Sequence, residues 1–227
     1  MQRYRILCLD GGGIHGLIAA IWLQQLEQKL NVPLREHFDL VAGTSTGSLL
    51  ACVVSLGLPT EPRYEGKGLE KALVMKLGKA RTPLIDGGVV ANNPAVCAIA
   101  EGVRVNKGRP AGERVEIDGY VVASFGTGEL TRSIDIAEAR EWGALEWTVP
   151  TIDVRFDGST DAVNYIATQI LDDGRYFRFQ TRLDAAYDDM DNADATNLNA
   201  LANTARRYLS AEGGDALLDR LAAQPRR

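Results

Sequence analysis

The chain has 227 residues, 45% of them hydrophobic and 24% charged, with a formal net charge of −5 at pH 7, enough apolar side chain for one sizeable core. The acidic balance and the absence of a Lys/Arg run exclude a binder of nucleic-acid polymers and give little attraction to anionic lipid, so any membrane contact is expected to be local, apolar and transient. No segment approaches the ~20 apolar residues of a membrane span and no leader precedes the first strand, so the expected location is the cytoplasm, with transient association to the inner membrane face.

In chain order, residues 4–9 are a short apolar strand, and residues 17–30 carry apolar side chains at helical spacing. Residues 38–42 form a second strand, followed over 47–56 by a helix so apolar that it must be buried on most sides. A Gly/Pro-punctuated stretch covers 57–68, and a short helix is expected at 69–77. Asn93 is the expected cap of a further helix with Pro94 at its first position. Residues 120–125 are a third strand ending in Gly126-Thr127-Gly128; helices follow at 159–171, 194–209 and 215–222, with a late strand at 175–180. Strands interleaved with helices predict an α/β fold, a three-layer sandwich around a mostly parallel central sheet, in a single domain spanning 1–227. Ligand sites of such sheets open at the carboxyl ends of the strands. Cys8, Cys52 and Cys97 lack the spacing of a disulfide framework or a zinc site and are expected to be buried small hydrophobes.

Gly43-Thr44-Ser45-Thr46-Gly47 fits the G-x-S-x-G nucleophile elbow, with a strand before it and a helix after it. The alternative is a small-residue turn chosen for tight packing. Asp10-Gly11-Gly12-Gly13 adds a second strand-to-helix turn, whose bare backbone lets amide N–H groups converge on an anion. For acyl transfer that anion is the tetrahedral oxyanion, with the N–H groups of Gly12, Gly13 and Thr46 as donors. A phosphate-binding loop ranks lower, because the run lacks both the Walker lysine and the G-x-G-x-x-G spacing.

A hydrolase triad needs a histidine after the elbow, yet His15 and His37 both precede Ser45. His37 enters the second strand and should lie on the surface at the opposite end of the sheet, whereas His15 can face the site and contact substrate. A carboxylate is the remaining candidate base. Asp86, in Leu84-Ile85-Asp86-Gly87-Gly88, stands at a sharp turn where a buried carboxylate could accept the serine proton; the competing reading is a plain turn.

Together these segments resemble the patatin-like phospholipase family: residues 10–16 its DGGGxRG motif, 43–47 its GxSxG elbow and 86–88 its DGG motif, continued by Val89-Val90-Ala91-Asn92-Asn93-Pro94. The resemblance implies a Ser-Asp lipid acyl hydrolase without cofactor or metal. Ser45 would be the nucleophile, Asp86 the base, and Gly11, Gly12 and Gly13 the oxyanion donors. Two features depart from the family. His15 replaces the arginine of the first motif, and only 41 residues separate Ser45 from Asp86, where the family has a much longer stretch. Either this is a minimal form with an open site or segments between Leu56 and Pro83 are missing, and the second is the preferred reading. The stretch from Trp142 to Gly158 looks like bacterial members, several of which degrade membrane phospholipid in antiphage defence once a cyclic oligonucleotide binds. The resemblance permits such an activator, and a homo-oligomer, without naming a site for either. Trp142 and Trp147 are expected to serve packing.

Overall fold

The computed structural model describes residues 3–57, 86–129, 135–143, 148–171, 174–184, 186 and 189–224. Strand β1 (Tyr4–Leu9) runs through a glycine loop and a short 3-10 turn into helix α1 (Gly16–Leu30), then α2 (Leu34–His37) and strand β2 (Leu40–Gly43). Helix α3 (Thr46–Leu56) follows β2, and α4 (Gly88–Ala91) and α5 (Ala95–Lys107) lead to strand β3 (Tyr120–Phe125). Helices α6 (Ile136–Ala139) and α7 (Thr148–Ile170), strand β4 (Tyr176–Phe179), and helices α8 (Ala195–Ala211) and α9 (Gly214–Ala222) complete the order.

The described strands form one sheet in the order β2-β1-β3-β4, every pair parallel. Alternation along the strands builds two cores. Leu7, Leu9, Val121, Ala123, Phe125, Phe177 and Phe179 face α1, α8 and α9. Ile6, Cys8, Tyr120 and Val122 face α5 and α7 through Ala95, Ala98, Ile99 and Ala167. A parallel sheet buried on both faces reads as apolar runs, which is how β1 and β3 looked in the sequence. The three-layer α/β sandwich and its parallel sheet are therefore as expected.

Helix α1 is anchored by Trp22, fully buried, whose indole N–H donates to the Ala205 carbonyl of α8 at 3.0 Å and whose ring lies 4.6 Å from that of Tyr208. Asn93 Oδ1 accepts the Ala95 N–H at 2.9 Å just ahead of α5, but the helix starts at Ala95 with Pro94 in the cap position, one residue later than expected for both.

Several expectations change. His37 is buried, at 3% exposure, because its ring packs edge-on against Phe38 where the chain enters β2. Cys52 and Cys97 are exposed on the outer faces of α3 and α5, whereas Cys8 is buried in β1. Helix α7 starts at Thr148, eleven residues before the expected 159. Trp142 is half-buried. The helix expected at 69–77, Leu84-Ile85 and Trp147 lie outside the described residues.

Candidate active site

Strand β1 pairs with β2 in register, Leu9 opposite Gly43, so the turns that follow the two strands leave the sheet side by side. Both candidate motifs thus meet at the carboxyl edge of the sheet, where parallel α/β folds place their sites. Ser45 sits between β2 and α3 with φ 50 and ψ −122, a non-glycine residue in the positive-φ region. Such a conformation costs on the order of 1–3 kcal/mol and persists only where surrounding contacts enforce it. Here the enforcement is visible. Thr44 N–H donates to Leu9 O at 3.1 Å, Gly47 N–H to Thr44 O at 2.8 Å, and Ser48 Oγ–H to Gly43 O at 2.7 Å. At Gly47 a Cβ would lie 2.6 Å from Asp10 O and overlap Leu9 O, so only glycine lets α3 start this close to β1. Ser45 itself is half-buried and stands at the N-terminal end of an eleven-residue helix, where the backbone dipole favours negative charge.

The glycine loop lies against this elbow. A Cβ on Gly11 would be 3.2 Å from Ser45 Cβ, and one on Gly16 would be 2.6 Å from Thr46 Oγ1. Gly13 adopts φ 56, turning the loop back toward α1, and Ile14 N–H donates to Met190 O at 2.8 Å across it. Gly11 N–H donates to Asn92 O at 3.1 Å and Thr127 Oγ1 donates to Gly11 O at 2.7 Å. Its amide is therefore engaged within the protein, and Gly11 is not placed to donate to an oxyanion. Among the described residues no acceptor takes the N–H of Gly12, Gly13 or Thr46.

His15 ends the 3-10 turn at 1% exposure. The side chain is thus buried at the start of α1, where it was expected to face the site and contact substrate. Where the family's arginine would stand, this chain places a packed imidazole.

The Asp86 turn also reaches the elbow. Thr44 Oγ1 donates to Ala91 O at 2.9 Å, and a Cβ on Gly87 would lie 3.6 Å from Thr44 Cγ2. Asp86 Oδ1 accepts the Gly88 N–H at 2.7 Å, the carboxylate turning back onto its own loop. Asp86 is exposed, not buried as a base in that role was expected to be, and it makes no hydrogen bond with Ser45.

Three residues that sequence reasoning passed over hold the glycine loop: Asn92, Thr127 and Arg178. The Arg178 guanidinium pairs with the Asp10 carboxylate at 2.7 Å, the two side chains 12% and 2% exposed. Burial raises the Asp10 carboxyl above its ordinary range, and the charge and hydrogen bond of Arg178 pull it back down in part. Arg178 was detectable as a charge at alternate spacing between Phe177 and Phe179. A polar cavity of about 250 Å³ opens beside Asp10, lined by Asn92, Thr127, Glu129, Asp161 and Gln180, but Ser45 and Asp86 do not line it. The described residues include no cluster of His, Cys, Asp and Glu suited to a metal ion.

This geometry agrees with comparison to known proteins. The model of the Patatin-like phospholipase family matches residues 7–71, which contain both the glycine loop and the elbow. The chain is 49% identical over 70 residues to the cGAMP-activated phospholipase of Pseudomonas aeruginosa, a match covering 30% of this chain and 20% of that protein. It is 47% identical over 53 residues to the cUMP-AMP-activated phospholipase of Escherichia coli, covering 23% and 17%. Patatin-like protein 1 of Arabidopsis thaliana is 22% identical over 335 aligned positions, covering 90% of this chain and 81% of that protein. That alignment is longer than this chain, so the plant protein carries residues for which this chain has no counterpart. The match to the Pseudomonas protein spans only a fifth of its length. With the two turns side by side at the edge of a parallel sheet and the family model covering both, the chain is similar to the patatin-like phospholipase family over residues 7–71.

Proposed function

We propose that the protein is a lipid acyl hydrolase of the phospholipase A type. Ser45 Oγ attacks the ester carbonyl while the Asp86 carboxylate takes its proton, and the N–H groups of Gly12, Gly13 and Thr46 hold the oxyanion. As the tetrahedral adduct collapses, the C–O bond to the lysophospholipid breaks and the proton passes from Asp86 to the departing alkoxide. Water then attacks acyl-Ser45 with Asp86 taking its proton, releasing fatty acid and restoring the serine. The observation that carries this reading is the strained Ser45 backbone, φ 50 and ψ −122, set against a glycine loop in which the Gly12 and Gly13 amides have no acceptor among the described residues. Asp86 enters the role through the contact of its turn with Thr44. The exposed Val89 and Val90, which follow that turn, support transient contact of the site's rim with a membrane surface. We place the activity in the cytoplasm, at the inner membrane face. The names of the bacterial relatives support activation by a cyclic dinucleotide, and with it a role in antiphage defence.

Fatty-acid release from phosphatidylethanolamine vesicles, with and without added cGAMP or cUMP-AMP, tests the reading. Wild-type protein should release fatty acid, Ser45→Ala should fall to background, and Asp86→Asn should lose roughly 10²–10⁴-fold, the range of a general base. Undiminished turnover by Asp86→Asn contradicts the dyad. Hydrolysis confined to short soluble esters would make the protein a general carboxylesterase. Absence of hydrolysis, with phosphate or nucleotide binding at the glycine loop, would make it a non-catalytic module.

A further inference from the structure

We infer that Arg178 is a positioning residue for the oxyanion loop, acting through Asp10. The inference rests on the hydrolase reading and deepens it. In the stretch Asp10-Gly11-Gly12-Gly13, Asp10 is the only residue with a side chain, so it is the one handle by which side chains can hold the loop. The register explains how a residue two strands away reaches it. Arg178 on β4 lies opposite Ser124 on β3, which lies opposite Cys8 on β1. In-register neighbours of a parallel sheet point to the same face, and Asp10 lies two residues beyond Cys8, again on that face.

From β4 the arginine therefore crosses above β3. Its Nη1 donates to Ser124 Oγ at 2.8 Å on the way, and its Nη2 meets Asp10 Oδ2 at 2.7 Å. Small residues clear the path. Ser124 is fully buried beneath the guanidinium, and a Cβ on Gly126 would come within 2.9 Å of Nη2. The same loop residues are gripped from the other sides by Asp10 N–H to Phe125 O at 3.0 Å, Gly11 N–H to Asn92 O, and Thr127 Oγ1 to Gly11 O. A guanidinium suits this task because its planar fork serves two acceptors at once, which an ammonium on a shorter reach does not. Oxyanion stabilisation depends on donors fixed before the reaction, and a misplacement of about 1 Å can cost on the order of 100-fold.

The test uses steady-state kinetics on a soluble short-chain ester, with folding monitored by circular dichroism and thermal melting. Arg178→Met should lower kcat on the order of 100-fold with KM within roughly two-fold of wild type, because the loop's donors act on the transition state and not on bound substrate. Arg178→Lys, which keeps the charge and loses the fork, should fall between the two and serves if the methionine variant does not fold. Asp10→Asn should lose a similar factor, and the Asp10→Asn/Arg178→Met double variant should be no worse than Arg178→Met alone. A folded Arg178→Met or Arg178→Lys protein with wild-type kcat overturns the inference, as does a loss carried by KM or strictly additive losses. Wild-type protein that does not hydrolyse the ester overturns the hydrolase reading itself.

Discussion

Ser45 is legible in the sequence because an elbow is a local device: two glycines, a serine and flanking apolar runs dictate it within five residues. Its strain makes a separate prediction. Ser45→Gly removes the penalty of a positive φ and should raise stability to chemical denaturation by about 1 kcal/mol while abolishing hydrolysis; unchanged or lowered stability would mean the elbow stores no strain. Non-local partners explain what single residues concealed. Gly11 loses its expected donor role to Asn92, more than eighty positions away, and Thr127 acts on the same residue from the end of β3. No spacing rule connects them. Thr127→Val should leave the Gly11 carbonyl without its buried partner, lowering stability by about 1–3 kcal/mol in urea unfolding and lowering kcat with it. His15 and His37 look alike in the sequence as polar residues near element ends, and both are buried, at 1% and 3% exposure.

At the scale of elements, β1 and β3 run as expected because each is an apolar run buried on both faces. Strand β2 begins two residues later than expected, at Leu40, after α2 ends. Helix α7 was underestimated for a definable reason. Pro150 and Gly158 interrupt the periodic pattern, yet Pro150 falls in the first turn, where its missing N–H is not needed, and one interior glycine costs only about 1 kcal/mol. Cys52 and Cys97 follow the same lesson, since an apolar helix still turns part of its surface outward. Packing of α1 on α8 rests on Trp22. Trp22→Ala should cost about 3–5 kcal/mol, read as a lower urea midpoint; a loss below about 1 kcal/mol would show that α1 is held by other contacts.

Across the molecule, the order β2-β1-β3-β4 brings the turns after all the described strands to one edge, and the elements of the candidate site are drawn from them: the glycine loop after β1, Ser45 after β2, Thr127 after β3, with Arg178 near the end of β4. The class of fold was readable from alternation of strands and helices, whereas strand order and the Asp10–Arg178 pair arise only on folding. The central claim is that this edge creates a nucleophilic serine. Exposure of the intact protein to a fluorophosphonate probe, followed by peptide mass spectrometry, tests it most directly. The account predicts a single covalent adduct on Ser45, absent in Ser45→Ala; a wild-type protein left unlabelled, or labelled elsewhere, would contradict it.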